Sequence, residues 1–169
     1  MAAVARVRIL LLAMLAAVAI TAVPAVALAT TTVTYGVSGL EYAATSTAGS
    51  FAGAAVAPDD LGTWRATVVH GALPLNPGGT APVTGGTFGL NGHTRDLAGG
   101  IDGGTITLLT TSGCGKQTYS VTGHLALAPS GTGDASFGML LTHYRLRLFG
   151  SCITYGATVQ GSVTFHLSA

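Results

Sequence analysis

Charge is what this chain has least of. Only 8% of its 169 residues are Asp, Glu, Lys or Arg, and it holds a single lysine, Lys116, and a single glutamate, Glu41. Neither nucleic acid nor an anionic lipid surface is an expected partner of a chain with so little net charge and no basic run. Cysteine is nearly as scarce: Cys114 and Cys152 are the only two. With neither CxxC spacing nor further ligands beside them, a redox pair or a metal site is excluded, and an even pair in an exported chain reads as one disulfide. Closing that loop stabilises the fold by about 4 kcal/mol in the chain-entropy model. Helical periodicity is missing after residue 29, where Gly, Thr, Ser and Val dominate and glycines recur too often for a helix of ordinary length.

What is present first is a three-part leader. Arg6 and Arg8 precede an unbroken apolar run from Ile9 to Ile20, and Ala27-Leu28-Ala29 supplies the small residues of a cleavage site. Pro24 interrupts the apolar stretch ahead of that site, which favours cleavage over an uncleaved anchor. Residues 1–29 are therefore expected to be a signal peptide, and residues 30–169 one exported domain, secreted or held in the cell envelope. Loss of Arg6 and Arg8 leaves five basic residues against six acidic ones, a formal charge of −1, and membrane association is not expected after cleavage. Heavy use of Ala and Gly with one lysine points to a high-GC bacterial source.

The rest of the chain reads as all β. Strands are expected over 32–38, 50–57, 63–70, 83–90, 105–110, 117–127, 135–149 and 152–167, about eight in all. Turn residues fall between them at Pro58-Asp59-Asp60, at Pro74 to Pro82, at Gly99 to Gly104, at Ser112-Gly113 and at Pro129-Ser130-Gly131. Alternation is clearest in the last strand, where Ile153, Tyr155, Ala157, Val159, Val163, Phe165 and Leu167 share one parity and Thr154, Thr158, Gln160, Ser162, Thr164 and His166 the other. The sixth repeats it, with Tyr119, Val121, Leu125 and Leu127 against Thr118, Ser120, Thr122 and His124. Links this short leave no room for parallel crossovers, so the strands form an antiparallel meander. Closing it into an up-and-down barrel removes two exposed edges, with a two-sheet sandwich as the alternative. In a meander alternate turns lie at one end, which places Cys114 and Cys152 together.

No chemical motif stands out. The five histidines, His70, His93, His124, His143 and His166, are not expected to converge: a turn around Gly150-Ser151 puts His143 opposite about Thr158 and His166 opposite about Ala135, and a turn near Ser130-Gly131 puts His124 opposite about Phe137, which leaves His143 far along the barrel from the other two. No metal and no cofactor is expected. Asp59-Asp60 falls well short of a calcium shell and reads as a turn. There is no Gly-x-Ser-x-Gly elbow, and of the carboxylates Glu41, Asp59, Asp60, Asp96, Asp102 and Asp134 most fall in expected turns rather than as a catalytic pair. The most suggestive residues are Trp64 and Arg65 with His143, Arg145 and Arg147, whose shared parity on one strand would make a cationic stripe able to meet a carboxylate or sulfate. For Trp64, the only tryptophan, a core anchor is the competing role. Gly62-Thr63-Trp64 resembles the Gly-x-Trp of lipocalins, ligand-carrying barrels, over three residues and on the third strand instead of near the first.

Three function classes follow. The first is a non-enzymatic barrel that binds a small molecule or an envelope component. The second is a barrel-type cyclase or isomerase, which a buried polar cluster inside the barrel would favour. The third is an outer-membrane barrel, which would turn the Thr/Ser faces inward and the apolar faces outward. Oligomeric state is not legible.

Overall fold

The structure, a computed structural model, describes residues 30–129 and 132–168; the expected signal segment lies outside them. Eight strands follow one another: β1 (Thr30–Ala44), β2 (Ala48–Ala57), β3 (Asp60–His70), β4 (Thr80–Gly92), β5 (Asp96–Thr111), β6 (Lys116–Leu127), β7 (Gly133–Leu148) and β8 (Ser151–Ser168). Each pairs antiparallel with the next, and β8 pairs with β1, so the sheet is a closed barrel and the sandwich is set aside. Closure satisfies the backbone groups that an open edge would expose.

Alternation decides what lies inside. Val33, Tyr35 and Val37 of β1, Trp64 and Ala66 of β3, Tyr119, Val121, Leu125 and Leu127 of β6, and Ala157, Val159, Val163 and Phe165 of β8 are all buried, while the intervening hydroxyl residues face outward or are half-buried. Eight strands leave an interior just wide enough for side chains to fill it or to hold one small ligand. The apolar faces thus point inward, opposite to the arrangement of a lipid-spanning barrel.

Two ends can be distinguished. One, the floor, carries Thr30 and Ser168, the turns at residues 58–59 and 93–95, and the end of β6 with the start of β7; the other, the mouth, carries the turns at residues 45–47, 71–79, 112–115 and 149–150. The disulfide joins Cys114 to Cys152 at the mouth, with Cα atoms 5.2 Å apart. It ties the β5–β6 turn to the β7–β8 hairpin two residues from that hairpin's tip.

One turn lies elsewhere than expected. Gly99 to Gly104 is strand, part of β5, and the β4–β5 turn is at residues 93–95. At Gly99 and Gly104 the strands approach closely: a Cβ on Gly104 would collide with the Thr122 carbonyl, and one on Gly99 with the Ala126 carbonyl, whereas Gly100 and Gly103 have room for one. In this barrel glycine marks backbone contact within a strand as well as chain reversal.

The seam between β1 and β8 is incomplete. Their ladder runs from Thr30↔Ser168 to Leu40↔Thr158, beyond which β1 pairs only with β2 and β8 only with β7. Both strands carry a register irregularity just past that point, at Tyr42 in the β1–β2 pairing and at Tyr155 in the β7–β8 pairing. Bulges of this kind bend a strand and end its pairing.

Candidate functional site

The floor is densely filled. Tyr35 packs edge-on against Phe165 with centroids 5.9 Å apart, Phe165 tilts against Phe88 at 5.9 Å, and Phe88 stacks on Trp64 at 6.3 Å. The Tyr35 hydroxyl donates to Asp60 Oδ2 at 2.6 Å, and the Thr94 backbone N–H donates to Asp60 Oδ1 at 2.9 Å. Arg95 Nη2 donates to Asp59 Oδ2 at 2.6 Å, leaving Nη1 buried without an aligned acceptor. The Tyr35 hydrogen bond, ahead of the Thr94 amide, holds the Asp60 carboxyl well below the usual carboxylate range. Burial first, and the Asp60 carboxylate second, push the Tyr35 hydroxyl up. Asp59 is lowered and Arg95 raised chiefly by their hydrogen bond to each other. This network couples two turns and one inward strand, and it serves to shut the floor.

Toward the mouth the packing loosens into a cavity of about 60 Å³. Its walls are apolar, with Phe51, Trp64, Phe88, Phe137, Leu141 and Val159 among them, and its polar lining comes from Glu41, Thr45, His70 and His143. A dry cavity of about 150 Å³ admits benzene, so the space accepts a slender apolar body or requires the lining to yield to a larger one.

Each polar group arrives by strand parity. Glu41 continues the inward row of Val33, Tyr35 and Val37; His70 continues Trp64, Ala66 and Val68; His143 continues Ala135, Phe137 and Leu141. His143 Nε2 lies 3.1 Å from Glu41 Oε2, with both side chains about nine-tenths buried. The separation is within ion-pair range, but the approach is off the line a hydrogen bond needs, so Nε2 is buried without a bonded partner. His70 Nδ1 is 2.7 Å from the Gly71 carbonyl, which only accepts, so Nδ1 carries the proton and Nε2 of the neutral ring keeps its lone pair. Tyr119 lies edge-on to His143 at 5.4 Å and donates to Gln117 Oε1 at 3.2 Å; burial raises its hydroxyl pKa.

The residues singled out from sequence are dispersed by this geometry. Trp64 is both core anchor and cavity wall: it is 1% exposed, donates from Nε1 to the Ser38 carbonyl at 3.1 Å and lines the cavity. His143 joins it in the cavity lining, Arg145 is half-buried near the rim, Arg147 is exposed beyond it on the hairpin, and Arg65 is exposed on the outer face. The stripe therefore enters the barrel only at His143. Of the other histidines, His93, His124 and His166 are exposed, and among the described residues no three metal-ligating side chains converge.

Sequence reasoning passed over Glu41 as a partner for His143, and His70 as an inward group. The signal was the parity itself, since each is a polar residue prolonging an apolar inward row. No protein family matches this chain, and no curated protein or solved structure is detectably similar to it, so the reading of the site rests on its geometry.

Proposed function

We propose that this is an exported, non-enzymatic binding protein that takes a slender apolar molecule into the barrel and meets its polar end with Glu41, His143 and His70. The observation that carries the reading is the apolar cavity ending in those three groups on the mouth side. Such a distribution, with walls that reward burial and a few convergent polar atoms, is what small-molecule sites share. The leader sequence and the disulfide fit an extracytoplasmic setting, where a thiol pair stays oxidised. The inward apolar faces favour a water-facing barrel over one that spans lipid.

Trp64 is the only tryptophan and lines the cavity, so its emission reports occupancy directly. Titration with a homologous series of straight-chain alcohols should give a saturable emission change that depends on chain length. Ala66→Val, which adds two methyl groups to the cavity wall, should weaken that response while leaving the circular dichroism unchanged. A flat emission across the series, or an equal response in the variant, rules the reading out.

The Glu41–His143 contact favours a second reading, a proton-transfer isomerase or cyclase, because a carboxylate beside an imidazole in an apolar site is the equipment of general acid–base catalysis. That reading expects deuterium exchange at the carbon next to the carbonyl of a bound 2-alkanone, followed by NMR in D2O and lost in Glu41→Gln. Exchange no faster than with Glu41→Gln leaves binding alone.

A further inference from the structure

The two ends of the barrel differ in charge as well as in packing. Lys116, Arg145 and Arg147, three of the five cations of residues 30–169, stand at the mouth. Asp59, Asp60, Asp96 and Asp134, four of the six carboxylates, stand at the floor. The carboxylate nearest the mouth, Glu41, is buried against His143 and offers little charge to the outside. A net charge near zero thus hides a cationic end and an anionic one.

Aromatic exposure is segregated the same way, whereas exposed aliphatics occur at both ends, with Val56 and Leu61 at the floor. Every exposed aromatic among the described residues, namely Tyr42, Phe149 and Tyr155, is at the mouth, joined there by Leu75, Leu148 and Ile153. The β7–β8 hairpin carries most of them above the rim, and the Cys114–Cys152 bridge, two residues from its turn, ties it to the β5–β6 turn. At its tip Phe149 is fully exposed with φ 49° and is followed by Gly150 at φ 81°. A two-residue turn of this hand asks for Asn, Asp or Gly at its first position. A bulky aromatic held in the left-handed region with nothing to pack on is a local cost without a return inside the fold.

Two partner types fit poorly. A two-residue turn with Leu148 and Phe149 exposed there offers a small apolar area beside that needed to seat a helix. A second copy meeting this end about a two-fold axis would bring Lys116, Arg145 and Arg147 toward their own counterparts. Aromatic and aliphatic side chains on a projecting tip, ringed by long cationic ones, instead match the boundary between phosphate headgroups and acyl chains, where rings insert shallowly and Arg and Lys reach back to phosphates.

We propose that the mouth docks on an anionic lipid surface, with Leu148 and Phe149 entering the headgroup boundary and Arg147 and Lys116 on the phosphates. This places the cavity opening toward the bilayer. It does not depend on what the cavity holds, and it departs from the expectation drawn from net charge because it rests on where the charges are.

The test is flotation of residues 30–169, whose barrel closes on itself from Thr30 to Ser168, with vesicles of phosphatidylcholine alone or mixed with phosphatidylglycerol at low salt. Binding is expected only with the mixed vesicles and should fade as salt rises. Lys116→Glu with Arg147→Glu should lower partitioning by at least about 25-fold, roughly fivefold for each cation. Phe149→Ser should lower it by about tenfold without altering the salt dependence. Asp96→Asn, at the floor, should leave flotation unchanged. Equal flotation with both vesicle types, no flotation, or a charge-reversed protein that floats like the parent overturns the proposal. So does a dimer in lipid-free sedimentation that Phe149→Ser dissociates, since the tip is then an interface between copies.

Discussion

The floor and the mouth are built from the same strands, yet one is finished and the other left open. At the floor, Tyr35, Leu90 and Phe165 are fully buried, and the carboxylate that enters, Asp60, is met by a hydroxyl and an amide. At the mouth, Glu41 and His143 are nearly as buried but meet each other without a good hydrogen bond, beside empty space. A fully satisfied buried polar group rigidifies, while one left partly satisfied remains available to something else. The contrast separates a structural cluster from a candidate site although both contain a carboxylate and a proton donor.

Four experiments can break or sharpen the contrast. The largest effect should come from leucine truncation. Leu90→Ala at the floor should cost about 4–5 kcal/mol, and Leu141→Ala beside the existing cavity only about 2–3 kcal/mol, measured by urea unfolding. Equal costs would mean that the mouth is packed as rigidly as the floor. Next, replacing Cys114 and Cys152 by serine opens a loop spanning 38 residues and should cost about 4 kcal/mol, with no change in the floor's tyrosine environment.

Tyr35→Phe should cost about 1–2 kcal/mol by leaving one Asp60 oxygen without its hydroxyl donor. It should also change the pH dependence. Because the folded Asp60 pKa lies below the ordinary carboxyl value of 3.8, its contribution is present above that pH and is lost as pH falls further. Tyr35, raised above the ordinary phenol value of 10.0, contributes below that pH and loses its contribution as pH rises past it. Tyr35→Phe should flatten both limbs of a stability profile. The smallest stability effect belongs to the mouth. Glu41→Leu with His143→Leu should be neutral or slightly stabilising to urea, since an apolar pair replaces a poorly bonded polar one. A large loss would show that this pair is structural after all.

Much of this architecture was legible residue by residue. Period-two alternation in the sixth and eighth strands reports a sheet with one wet and one dry face, and the turn residues report the meander. The register also came close: His143 was expected opposite Thr158 and lies opposite Ala157, and His124 was expected opposite Phe137 and lies opposite Ser136. What failed was local. Gly99 to Gly104 reads as a turn because glycine does not state whether it serves chain reversal or close approach, which only the neighbouring strands decide.

The polar pairs were harder for a different reason. Asp60 meets Tyr35 across 25 positions, and Glu41 meets His143 across the barrel seam, so neither contact exists until register and closure are both fixed. Arg145 and Arg147 share the parity of His143, but the strand rises past the rim and its register shifts after Tyr144, so parity stops meaning interior. The cavity itself has no sequence signature.

Closure has a kinetic side. Seven of the eight pairings join consecutive strands through a turn, and these can form independently over short loops. Only β1 with β8 joins distant parts of the chain, from Thr30↔Ser168 to Leu40↔Thr158. The folding barrier should concentrate in that last zippering event, because its loop entropy must be met before any of its contacts form. Substitutions along the β1–β8 ladder should then slow folding, while those in the projecting β7–β8 hairpin should leave the rate almost unchanged.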